Sequence, residues 1–355
     1  MSNRRTVSPV STCTVLTCTS DRFWDVYDND ELPTVELVRD VLDNVLRPRK
    51  TVLRQSDTRF RLDDLLVGML EEAPDPCGQR YVAVALSLAH EKGTHAVIDV
   101  AKAWLDYLFL PMLTIARAFR TEPASSQTPT IDKGHAELRD LIADREQHRC
   151  AITEAFDRSF VTELLQQGRG QEIPDVPQLR MQVAHVLPFL LNDLDDPPGV
   201  HPQIKDPAQT RDMLQSWTNL DFKKLFGSKI NSPMNAIFMT AEEHHSFARF
   251  RFYLEKHTYP NSPDKYQART VQSGRRFSNG RVSTDVRFRQ VEGIDPPNPQ
   301  LLEIHAAFSR VLNLCGAAEY FDGVEQDAES GMTLRMDGTT DIGSLLLCRL
   351  PMVAH

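Results

Sequence analysis

Three short stretches, Val183-Ala184-His185-Val186-Leu187-Pro188, Asn235-Ala236-Ile237-Phe238 and Glu242-Glu243-His244-His245-Ser246-Phe247, decide how this 355-residue chain is read. The first is a β-type apolar run closed by a proline, which has no backbone donor and so ends strand pairing. The second sets an asparagine directly before another apolar run. The third reads as a short helix, with His244 nine residues after Asn235. Strand, strand, helix is therefore the local order these residues predict. Taken singly, a histidine among apolar neighbours is usually structural, and an asparagine before a strand usually closes a turn. Their order and spacing together single out His185, Asn235 and His244 as candidate catalytic residues. His245 adjoins His244 on the helix and must face elsewhere.

The histidine, asparagine, histidine order resembles the HNH, or ββα-metal, nucleases. The helical lead-in, Arg149-Cys150-Ala151-Ile152-Thr153 and Ile304-His305-Ala306-Ala307-Phe308 resemble the fungal HNH-domain proteins along most of the chain. The resemblance implies hydrolysis of phosphodiester bonds with Mg²⁺ or Mn²⁺. In it His185 is the general base that deprotonates the attacking water, Asn235 organises the loop and His244 is a metal contact. Two positions depart from the family pattern. The residue before the base histidine and the residue one turn past the last histidine are often metal ligands, and here they are Ala184 and Ala248. Replacement ligands would come from Asp193, Asp195, Glu243 or His245. Magnesium accepts so sparse a set because it retains waters, whereas tightly held zinc or nickel does not fit.

Composition narrows the setting. The net charge is −9, and a nucleic-acid binder ordinarily carries a basic footprint, so any such footprint here is local. The one candidate is Arg269, Arg275, Arg276, Arg281, Arg287 and Arg289, with Tyr266, Phe277 and Phe288 interleaved. A hairpin turning at Ser273-Gly274 or Asn279-Gly280 would gather some of these arginines on one face. Arg275, Arg276 and His245 are the expected nucleic-acid or ligand contacts, against the plain alternative of a solvated strand pair. The six cysteines contain no CxxC pair, which excludes a zinc ribbon and suits reduced thiols of an intracellular protein. The start of the chain is too polar for a signal peptide, and the Ala96 to Phe119 region is too interrupted by charges for a membrane span. Cytosol or nucleus is the expected location.

Along the chain, residues 1 to about 30 read as loop. Apolar residues then recur at three and four from Val35 to Leu46, and helices are predicted at Leu62 to Glu72, Tyr81 to Glu91 and Ala96 to Leu110, with another begun or kinked at Pro111. Glu122 to Thr130 reads as a linker, followed by a helix from about His135 to Gln147. Cys150 to Thr153 and Arg180 to Val183 read as β-type runs, with an irregular insertion over Phe160 to Gln166. A second insertion spans 190 to 230, with the acidic Asp193 loop and a helix around Gln209 to Phe226. Further strands are predicted at Phe250 to Glu255, Ala268 to Gln272 and Val286 to Val291, then one long helix from Pro299 to Tyr320 in which His305 is buried and structural. The sum is an α+β, mainly helical protein. Its expected parts are a helical N-terminal region (1–130), a small HNH-like ββα core with helical insertions (131–260) and C-terminal strands with a long helix (261–355).

The alanines, the acidic charge and the helical insertions leave two further functions open. One is an HNH fold converted to a cofactor-free enzyme acting on a small hydrophobic metabolite, with His185 as acid and base in a cyclisation or isomerisation of fungal natural-product biosynthesis. The other is a catalytically silent binding protein. Long amphipathic helices outside the core suit a homodimer interface as well as an intramolecular one.

Overall fold

Helices dominate the described residues, as the three- and four-residue apolar spacing predicts. The computed structural model describes residues 21–29, 32–113, 129–188, 206–221, 232–257, 265–272 and 274–329. In chain order the helices are α1 Asp21–Tyr27, α2 Thr34–Asp40, α3 Lys50–Gln55, α4 Leu62–Glu71, α5 Pro76–Glu91, α6 Thr94–Trp104, α7 Pro129–Arg145, α8 Arg158–Gln166, α9 Pro207–Thr218, α10 Ala241–Ala248, α11 Pro299–Leu314 and α12 Ala317–Glu329. The strands are β1 Phe156–Asp157, β2 Gln178–Leu179, β3 Met181–His185, β4 Ala236–Thr240, β5 Phe252–Lys256, β6 Lys265–Thr270 and β7 Ser283–Arg287. No helix among the described residues is long and apolar enough to cross a membrane.

Two compact units share the chain discontinuously. One comprises 1–115, 193–225 and 310–355, the other 116–192 and 226–309. In the first, α5 is the central element. Pro76 occupies its first turn, where a missing N–H costs nothing, and the Asp75 side chain caps it by accepting from the Cys77 amide at 2.7 Å. Tyr81, Val82, Val84, Leu86 and Ala89 bury most of its circumference. Helix α9 crosses it where Gly78 has no side chain: a Cβ there would lie 1.8 Å from the Trp217 carbonyl oxygen. The Trp217 indole is fully buried, donates to the Met69 carbonyl at 3.0 Å and meets Phe109 edge-on.

The stretch expected to be loop up to residue 30 contains α1. Seven residues, about two turns, are too few to read by periodicity. It holds because Arg80 donates to the carbonyls of Val26, Tyr27, Asn29 and Leu32, satisfying groups that a helix end leaves bare. The helix expected over Pro299 to Tyr320 is two helices. Gly316 (φ 83°) breaks it, and Arg61 receives the freed chain end by donating to the Leu314 carbonyl. The helix expected to run to Phe226 ends at Thr218, followed by Asn219 in the left-handed region.

In the second unit, β3 and β4 pair antiparallel with Met181 opposite Thr240 and His185 opposite Ala236. Every residue of β4 is buried. Arg139 of α7 braces the pair from behind, donating to the Met181 carbonyl and the Asp157 carboxylate while its guanidinium lies over the Phe238 ring. A separate three-stranded sheet, β5-β6-β7, alternates buried and exposed positions and so has one apolar face. Its strands are displaced by a few residues from those predicted, since charged residues such as Arg287 fill the outer alternation. The Cys150 to Thr153 stretch is a turn rather than a strand. The sulfur of Cys150 accepts from the amides of Ile152, Thr153 and Thr240, each at 3.4 Å. The insertion at Phe160 to Gln166 is helix α8, capped by the Asp157 carboxylate. Helix α7 begins at Pro129, within the predicted linker, the rest of which lies outside the described residues. Of the described cysteines, Cys150 and Cys315 are buried and Cys77 is exposed, none of them in a disulfide.

Gly78→Ala tests the close approach of α5 and α9. Alanine is the better helix former by about 1 kcal/mol, yet overpacking against a backbone oxygen costs roughly 1–3 kcal/mol or more. The urea midpoint should fall, and an unchanged or raised midpoint would show that α9 does not pack there.

Candidate functional site

His185 ends β3, and the two residues after it are fixed by Asn235. The Val186 amide donates to the Asn235 carbonyl at 2.8 Å. The Asn235 side chain then works in both directions: its Oδ1 accepts from the Leu187 amide at 2.9 Å and its Nδ2 donates to the Leu187 carbonyl at 3.0 Å. Asn235 is wholly buried, in a tight turn over Pro233–Asn235 that leads into β4. An amide side chain offers a donor and an acceptor together, which is what the buried N–H and C=O of one residue require.

From β4 the chain turns directly into α10. Thr240 caps it, its hydroxyl accepting from the Glu243 amide at 3.3 Å. The i, i+4 pair His244 and Ala248 faces a small cleft, lined by these two with His185, Val186, Pro188, Phe250 and His305. The His244 ring is pushed down to about 4, chiefly by burial, then by repulsion from His185 and His245. It is a neutral imidazole at pH 7. His185 and His244, 59 positions apart in sequence, thus share one cleft with the Asn235 clamp behind them.

His305 is the lining residue that sequence reading assigned only to the core. It is buried, its ring 3.7 Å from Phe247 and 4.9 Å from Phe250, with Nε2 3.2 Å from the Phe247 carbonyl. That carbonyl accepts the Nε2 proton, leaving Nδ1 as the lone-pair nitrogen. Burial pushes His305 down to about 3, against the smaller upward pull of the Phe247 carbonyl.

Other predicted residues lie elsewhere. His245 is half-buried beside the Arg249 guanidinium. Glu243 is buried and turned to the Ser278 amide, which its Oε1 accepts at 2.9 Å. Asp193 and Asp195 lie outside the described residues. In the basic stretch, Arg275 donates to the Ser246 hydroxyl at 2.8 Å, Arg276 to the Gly280 carbonyl at 2.7 Å, and Arg269 pairs with Glu255. Tyr266, Phe277 and Phe288 are buried core residues.

A resident divalent ion does not fit the donors described. The cleft presents imidazoles only, and one of them, His305, has a nitrogen committed to a carbonyl. Ala184 is buried opposite Ile237, and Ala248 forms part of the wall. Among the described residues, no group of three histidine, cysteine or carboxylate side chains is placed to hold a metal.

Residues 150–255 match the HNH endonuclease family model. The match covers less than a third of the chain and contains His185, Asn235 and His244. Searches of the curated proteins and of the solved structures found no match. The family match, β3, β4 and α10 together support an HNH-type domain within an α+β protein.

Two outcomes follow from this geometry. Asn235→Ala strands the N–H and the C=O of buried Leu187, at a cost of roughly 1–3 kcal/mol for each unsatisfied group. Asn235→Asp keeps the acceptor, loses the donor and sets a carboxylate against the Leu187 carbonyl at a buried position, so it should be destabilised in chemical denaturation at least as much as alanine. Equal midpoints for all three would disprove the clamp. Secondly, His244 and His305 stay neutral in the fold, while the unfolded chain takes up protons near pH 6.5. Their contribution to stability is complete above about pH 6.5 and is lost as pH falls towards about 4 for His244 and about 3 for His305. His305→Phe keeps the ring stack and leaves the Phe247 carbonyl with the Phe250 amide. This variant should flatten the acid limb of the stability curve, and an unaltered limb would contradict the assignment.

Proposed function

We propose that the β3, β4 and α10 unit is an HNH-type, ββα-metal-related site that hydrolyses phosphodiester bonds in nucleic acid. The observation that carries this reading is the two-way Asn235 clamp on Leu187, which holds His185 at the cleft shared with His244. His185 accepts a proton from water as the water oxygen bonds to phosphorus. The bond from phosphorus to the leaving sugar oxygen breaks, and that oxygen takes a proton from solvent. His244, neutral at pH 7, can offer an N–H to a phosphoryl oxygen but carries no positive charge to it. Exposed arginines of the basic stretch, Arg276 among them, are the phosphate contacts in this reading, with Arg275 bound to α10 through Ser246. Family members ordinarily use a divalent ion. The described donors do not fit one.

A second reading has its own observation. The walls formed by Val186, Pro188, Ala248 and Phe250 are apolar, which suits a small hydrophobic substrate with His185 as metal-free acid and base.

The test incubates plasmid, single-stranded DNA and RNA with the protein and with His185→Ala, in Mg²⁺, Mn²⁺ or EDTA. Cleavage reduced about 10²- to 10⁴-fold in the variant is the expected loss of a general base. Folded wild-type protein that leaves every substrate intact would overturn the nuclease reading and favour the small-molecule one. Cleavage unaffected by His185→Ala would remove His185 from the chemistry.

A further inference from the structure

Arg145, the last residue of α7, is fully buried in a helix position that continues the apolar stripe of Leu138 and Ile142. A charge there needs a strong reason, because removing a guanidinium from water costs several kcal/mol before any partner is found. Its partners are unusual in where they lie. Nε donates to the Glu146 carboxylate at 2.8 Å. Nη1 donates to the carbonyls of Pro233 at 2.9 Å and Asp295 at 2.8 Å, and Nη2 donates to the Ala236 carbonyl at 2.8 Å. Two of these three carbonyls bracket Asn235. The intervening Met234 carbonyl accepts from the Asn298 amide, and that of Asn235 accepts from Val186. All four carbonyls from 233 to 236 are thus held, the outer two by one guanidinium.

We infer that Arg145 is a positioning residue for the candidate site: it fixes the 233–236 turn, the turn fixes Asn235, and Asn235 fixes the loop that carries His185. The flat fork of the guanidinium is required because its donors reach carbonyls on both sides of the turn at once, whereas an ammonium presents three donors from a single atom. Glu146 serves to orient the fork through Nε. The role concerns geometry and deepens the proposed function, but its first readout does not depend on any activity.

That readout is the titration of the His185 ring, followed by NMR of imidazole-labelled full-length protein. Arg145→Lys should move the His185 midpoint by at least half a pH unit, in the same direction as Asn235→Ala. The double variant should show no further shift, because both act through one route. Glu146→Gln keeps an acceptor for Nε and should leave His185 where it is. Additive shifts, an unmoved His185 in Arg145→Lys, or an unmoved His185 in Asn235→Ala would each overturn the inference. Should Arg145→Lys fail to fold, wild-type hydrogen exchange decides instead. The Arg145 Nε–H and the Val186 and Leu187 amides should open in one event with a common protection, and separate openings would defeat the coupling. If the wild type cleaves nucleic acid, Arg145→Lys should also lower kcat roughly 10- to 100-fold, the scale of a small misplacement, with KM within about twofold. Absence of cleavage counts against the proposed nuclease, while the His185 titration still judges Arg145.

Discussion

The paired hydrogen bonds between the Asn235 side chain and the backbone of Leu187 are the constraint on which the site depends. Beyond His185 the chain leaves β3, and the sheet can no longer satisfy its polar groups. A buried peptide left bare would be costly, so the segment could stay at the cleft only with a substitute ladder. Asn235 is that substitute, a side chain behaving as one more rung of β4. It needs a rigid turn beneath it, which accounts for the density of hydrogen bonds between 233 and 236. Those in turn rest on α7, whose Arg139 and Arg145 reach β3 and β4 from behind.

Among the described residues, the cleft is lined by no carboxylate that would hold a cation by charge. Burial holds His244 and His305 in their neutral forms, and alanine stands at both positions where the family pattern suggests further ligands. What remains is a set of hydrogen-bonding imidazoles in an apolar wall. Such a wall strengthens any polar contact made within it. The two proposed functions therefore draw on the same feature and differ in whether a phosphate or an apolar skeleton enters.

Much of the local order of the site was legible because it is set by neighbours in sequence. The apolar runs at 183 and 236, the proline at 188 and the threonine before α10 each act within a few residues, and the strands and helix lie where they indicate. What could not be read depends on distant partners. Helix α1 exists because Arg80, some fifty positions later, takes up its carbonyls. Helix α8 starts at a cap whose carboxylate, Asp157, lies outside the stretch predicted as an irregular insertion. His305 appeared only as part of an amphipathic stripe, since nothing in sequence links it to the Phe247 carbonyl. A faint signal for Arg145 did exist: an arginine placed three residues after Ile142, where the stripe calls for an apolar side chain. The aromatic residues among the arginines are buried, and the strand alternation that buries them was misplaced by a few residues.

The interleaving of the two units has a practical meaning for how the protein is divided. The family match at 150–255 begins after α7 has ended and stops inside β5. A fragment cut to that match would lack both bracing arginines of α7, the β6 partner of its last strand and the helix that supplies His305. It would also carry 193–225, a segment of the other unit, without the helices that α9 packs against. The shortest stretch that keeps the candidate site whole is therefore set by tertiary partnership, and it is considerably longer than the stretch by which the family is detected.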